Sequence, residues 1–223
     1  MEEKKYRLLE NETVEVDGRT LYRIKALRGF GDVKKGDKGG YVESENKLSH
    51  GGDCWVYNDA MMFGNAEVYG NARVYGNAVV LGEARVYGNA VVLGEAKVFG
   101  NAQVYGNAVV LGEAKVFGNA LVYGDAEVGE NAKVYGKVRV NGKARVLGNA
   151  EVARKEDYIV FKNWWSSGRY FTWTRSNNRW QVGCFYGTGE KLIKKAYADS
   201  ERSGREYERI VKYVEAILRD ERE

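Results

Sequence analysis

The chain has 223 residues, a net charge of +4, 28 glycines and no proline. That length suits one large domain or two small ones, and abundant glycine without proline argues against a disordered linker, because low-complexity disorder usually recruits both. No stretch approaches the roughly 20 apolar residues of a membrane span, so a soluble protein without membrane contact is expected. Two distant cysteines, Cys54 and Cys184, form neither a disulfide framework nor a zinc motif, which suits a reducing, cytoplasmic compartment.

Met1 to Tyr6 is charged and leads into no apolar leader. Residues 6–27 read as a β-hairpin: Thr13-Val14-Glu15-Val16 alternates, Asp17-Gly18 is a type I′ turn signal, and Leu21-Tyr22-Arg23-Ile24 continues the second strand. Residues 30–50 are rich in Gly, Asp and Lys and read as an irregular first coil. Residues 1–50 are therefore expected to form an N-terminal cap.

From 51 to 153 the chain repeats every six residues. Val stands at 56, 68, 74, 80 and onward to 152, with Met62 filling the one gap; a small residue stands two before, Val138 excepted, and Gly usually two after. The unit is Ala-x-Val-(Tyr/Leu/Phe)-Gly-(Asn/Glu). In a strand, residues two apart share a side, so Ala and Val face inward while x and the residue after Val face outward. Gly and Asn then turn the chain with positive φ. A short strand and a turn every six residues build neither a flat sheet nor a helix. They build a coil whose turns stack as parallel strands over a Val and Ala column.

This pattern resembles the hexapeptide-repeat left-handed β-helix, three hexads to a coil, although Gly comes one place later here than in that family's motif. Val92 to Gln103 recurs almost unchanged at Val110 to Leu121, a shift of 18 that favours three hexads per coil and about five to six coils. It would stack Tyr69, Tyr87, Tyr105 and Tyr123 in one column, and Phe63, Leu81, Phe99, Phe117 and Tyr135 in another. The fold class expected is mainly β, a hexapeptide-repeat β-solenoid.

Residues 154–223 break the repeat and carry 15 basic against 11 acidic side chains, so an acidic partner would meet this end first. Tyr158 to Phe161, Tyr170 to Thr174 and Arg179 to Phe185 read as strands. Helices are expected over about 190–198 and 204–219, the second with Tyr207, Ile210, Val211, Val214 and Ile217 on one face.

Four features are candidate sites. His50, the lone histidine, falls six before Val56 and reads first as the end of the inward stack. Hexapeptide-repeat acyltransferases use a histidine as general base, which makes His50 a catalytic candidate in the alternative reading. Gly183 to Lys191 lacks the spacing of a phosphate loop and reads as a strand-to-helix turn. Between 161 and 186, Trp164, Trp165, Tyr170, Trp173 and Trp180 interleave with Arg169, Arg175 and Arg179. Aromatic faces beside cations suit a protein interface, a nucleotide or the appendage's own core. Finally, Val79, Val91 and Val109 face outward beside Leu93 and Leu111, with Tyr87 and Tyr105 in the tyrosine ladder. Such a surface on a soluble protein is expected to be covered, by a homo-oligomer, a trimer being common among hexapeptide-repeat proteins. No cofactor and no metal are implied.

Tyr22 to Leu27, Gly39 to Ser44, Leu48-Ser49-His50 and Cys54 to Tyr57 resemble the cap of a group of phage and prophage proteins. That resemblance implies a phage-borne accessory protein in the host bacterial cytoplasm: a non-enzymatic binding or scaffold protein, such as a counter-defence factor that holds a host defence protein or a nucleotide signal. An acyltransferase using His50 and a structural assembly protein are the alternatives.

Overall fold

The computed structural model describes residues 3–220. Each hexad contributes a two-residue strand, and strands 18 residues apart pair in parallel register, as Arg73, Val91, Val109 and Glu127 do. The chain is a β-solenoid of about six coils with three parallel sheets as its faces. Every inward Val from Val56 to Val152, and Met62, is wholly buried, as are the Ala residues stacked beside them. Backbone bonds run along the axis from each coil to the next, for example Tyr87 N–H to Val104 O at 3.0 Å.

The turn after each strand needs positive φ. Gly106 has φ +74°, and a Cβ there would lie 3.0 Å from the amide nitrogen of Gly124 in the next coil. Gly142, in the last coil, has φ +65° and nothing within 4 Å.

The three faces differ outwardly. The valine face presents Trp55, Arg73, Val91, Val109, Glu127 and Arg145 in successive rungs. The tyrosine face presents Glu67, Arg85, Gln103, Leu121 and Arg139. The hairpin face presents Met61, Val79, Lys97, Lys115, Lys133 and Glu151. The stacking columns follow the 18-residue period: Tyr69, Tyr87, Tyr105 and Tyr123 lie ring on ring at 4.8–4.9 Å, as do Phe99, Phe117 and Tyr135.

At the N-terminal end, strands Tyr6–Val16 and Arg19–Ala26 form the hairpin. Asp17 and Gly18 both take positive φ, 51° and 72°, as a type I′ turn requires. The second strand pairs antiparallel with Lys38–Val42, whose Val42 pairs parallel with Met62. The hairpin thus extends one solenoid sheet, and its Val14, Val16 and Leu21 pack on Phe63 and Val79.

The inward stack also begins earlier than the hexad register suggests. Leu48, not His50, bridges to Val68 and is 1% exposed. Eight residues separate Leu48 from Val56, so the irregular stretch between them pushes His50 off the inward column.

At the C-terminal end, four strands rather than three follow: Tyr158–Lys162, Tyr170–Thr174, Arg179–Val182 and Phe185–Gly187. Gly183, at φ +55°, divides the stretch expected to be one strand. Helices α1 (Gly189–Asp199) and α2 (Glu201–Asp220) complete the unit. Alternation in Tyr-Phe-Thr-Trp-Thr explains how the unit docks. Phe171 and Trp173 join Trp180 and Val182 against Leu192, Val211 and Val214. Thr172 and Thr174 are buried as well, at 2% and 3% exposure. Thr172 Oγ1 accepts the N–H of Arg145, Ser176 Oγ accepts that of Glu151, and Asp157 accepts those of Ala153 and Arg154. The last coil's open edge is thereby closed by side-chain oxygens.

Two tests follow from these contacts. Gly106→Ala should destabilise more than Gly142→Ala in urea titrations: about 1–2 kcal/mol for left-handed alanine applies to both, and only Gly106 adds a backbone clash. Thr172→Val should cost about 1–3 kcal/mol, because it leaves a partly buried amide without an acceptor.

Candidate binding faces

The only histidine sits in a polar plug at the N-terminal end. His50 Nδ1 accepts the Lys5 N–H at 3.1 Å, and its ring stacks on Tyr6 at 4.6 Å. A neutral imidazole has one nitrogen lone pair. With Nδ1 accepting, the ring proton is assigned to Nε2, which then lacks the lone pair a general base needs. Lys5 is fully buried. Its Nζ donates to the carbonyls of Cys54, Gly52 and Gly51 at 2.9, 3.3 and 3.4 Å and lies 3.3 Å from Cys54 Sγ. Phe30 lies under the ammonium at 4.8 Å. These carbonyls belong to the irregular stretch before Val56, where the coil ladder has not yet become regular. Burial lowers the Lys5 pKa and raises that of the Cys54 thiol. Lys5 was not singled out in the sequence, where it is one lysine in a charged N-terminus. Lys5→Met should destabilise the fold by roughly 2–3 kcal/mol, since a charged donor to buried carbonyls is removed; denaturant unfolding measures it.

The aromatic and basic residues of the C-terminal unit divide into two groups. Trp173 and Trp180 are 1% and 2% exposed and belong to the unit's core, so neither presents a face to a partner. Trp165 is half-buried, edge-on to Tyr207 at 5.8 Å. At the surface, Trp164 is 76% exposed, on a loop fixed by Asn163, whose Oδ1 accepts the N–H groups of Trp165 and Ser166. The ammonium groups of Lys143 and Lys162 lie 5.6 and 5.9 Å from the centre of the Tyr170 ring. Arg169 is exposed. Arg175 lies over Trp173 and donates to Glu156 O, and Arg179 donates to the carbonyls of Asn177 and Asn178. Thr188 caps α1 by accepting the Lys191 N–H, the strand-to-helix turn that the spacing of Gly183 to Lys191 implies.

The outward residues of the solenoid lie on three different faces. Val79 is on the hairpin face, 9% exposed beneath the chain's own hairpin, so that hairpin supplies its cover. Tyr87 and Tyr105 are in the tyrosine ladder, where Tyr87 OH bonds Gln103 Oε1 at 3.2 Å. Val91, Leu93, Val109 and Leu111 form one half-buried apolar strip at the centre of the valine face. Leu111 and Leu147 lean over the intervening Gly129, prolonging the strip. Arg73 stands at one end, 3.9 Å from Asp32. Glu127 stands at the other, held by both Nε and Nη2 of Arg145 at 2.7 and 3.0 Å.

A β-solenoid repeat is also what comparison with known families finds. Residues 66–82 and 102–116 match the family model described as the YdcK Beta solenoid repeat. Among curated proteins none matches. The matched stretches lie wholly within the solenoid, so the similarity concerns the repeat that builds the faces. No helix among the described residues is long and apolar enough to cross a membrane, and no three His, Cys, Asp or Glu side chains among them gather as metal ligands.

Proposed function

We propose that this protein is a non-catalytic binding scaffold that assembles with a second copy of itself through the valine face. The observation that carries this reading is the apolar strip of Val91, Leu93, Val109 and Leu111 on a flat sheet, bounded by opposite charges. A two-fold axis along the strands, midway between the Val91 and Val109 rungs, sets Val91 against the partner's Val109 and Leu93 against the partner's Leu111. It also sets Arg73 against the partner's Glu127, twice over. The surface is therefore complementary to itself under the symmetry most common in soluble oligomers. Sheets pack face to face in this way about 10 Å apart. A three-fold arrangement, expected from the likeness to hexapeptide-repeat proteins, would not pair these rungs reciprocally.

The tyrosine ladder, the hairpin face and the exposed Trp164 remain uncovered in such a dimer and are available to a further partner. A phage-borne accessory factor that holds a host defence protein or a nucleotide signal is a narrower form of the same proposal, supported by the likeness of the cap segments to phage and prophage proteins.

Light scattering on the purified chain, across a concentration series, should give twice the 25.1 kDa monomer mass. Val109→Lys should reduce it to a monomer with an unchanged circular dichroism spectrum. Leu121→Lys, on the tyrosine face, should leave the dimer intact. A monomeric wild-type protein at every concentration overturns the reading.

A further inference from the structure

The hairpin tip overhangs its own face and leaves a cleft of about 420 Å³ between Val16 and Asp17 on one side and Met61, Phe63, Val79, Leu81, Lys97 and Phe99 on the other. The floor is apolar and aromatic. The cleft falls within the usual range for small-ligand sites, about 300–1,000 Å³, and has room for one fused ring system or a short acyl chain. Its open end runs onto two cations. Lys97 is directly opposite Lys115 in the parallel ladder. Like charges directly opposite on a sheet repel, and among the described residues neither lysine has an ion-pair partner. The next rung shows the usual remedy, since Lys133 is paired with Glu151 at 2.8 Å.

We infer that this cleft is a binding site for an amphipathic anion: a flat or extended apolar group carrying a carboxylate or a phosphate. The apolar part lies over Phe99 and Leu81 beneath the hairpin, and the anionic group sits between the Lys97 and Lys115 ammonium groups, relieving their repulsion. Asp17 sets the direction. Its carboxylate at the hairpin tip repels an anion entering that side, so the charged end points away from the hairpin along the lysine ladder. The valine face takes no part, and the inference stands whether or not two copies assemble there.

The test uses the full chain and 8-anilinonaphthalene-1-sulfonate, an aromatic anion whose emission rises on burial. Saturable binding to one site is expected. The Lys97→Gln/Lys115→Gln double variant should bind at least about tenfold more weakly, the loss of two charge-assisted contacts, with unchanged circular dichroism and melting. Lys137→Gln and Trp164→Ser should bind as the wild type does. Displacement of the dye by decanoate assigns the site to acyl carboxylates, and displacement by a nucleoside monophosphate assigns it to nucleotides. Equal dye affinity in the double variant, or displacement by neither competitor, overturns the inference. Running the titration on monomeric Val109→Lys as well separates its failure from that of the assembly.

Discussion

The backbone ladder along the solenoid axis is the constraint on which the rest of this structure depends. Each coil donates to the next, as in Lys97 N–H to Ala114 O at 2.9 Å, and the coils' positive-φ turns carry glycine except at Asn58 and Glu130. The core is correspondingly simple. One Val and one Ala fill most hexads, both fully buried, with Met62, Cys54 and Val138 standing in for them at three positions.

A ladder of this kind has two open ends, and open strand edges invite other chains. The two ends are closed by different chemistry. At the start, carbonyls outside the coil ladder meet a buried ammonium, Lys5. At the finish, amides of the last coil's open edge meet the oxygens of Thr172, Ser176 and Asp157. Donors answer acceptors in each case, which is why both caps bury polar side chains inside otherwise apolar packing. His50 belongs to this task, as the acceptor that holds the Lys5 amide.

Because the inward positions carry the stability, the outward ones vary at little cost to the fold. They differ by face: an apolar strip between opposite charges, a stacked tyrosine ladder, and an aromatic column beside lysines under the hairpin. A fixed rung spacing turns each sequence choice into a regular surface.

The period of six, the inward Val and Ala and the hairpin turn at Asp17-Gly18 were legible in the sequence, because each follows from local geometry; the 18-residue coil was legible only through the recurrence of Val92 to Gln103 at Val110 to Leu121. The helices of the C-terminal unit were legible for the same reason, through their apolar spacing. What depended on distant parts of the chain was not. Leu48 takes the inward place that counting by six assigns to His50, since the caps allow an irregular stretch that periodicity cannot reveal. Trp173 and Trp180 lie inside because strand alternation turns them toward helices some ten to forty residues later in the chain. Val79 is covered while Val91 and Val109 remain half-exposed, because the hairpin folds over one face only. Local repetition determined the solenoid; only tertiary packing decided which of its outward residues are covered by the chain itself and which are left for something else, since that depends on where the two caps come to rest.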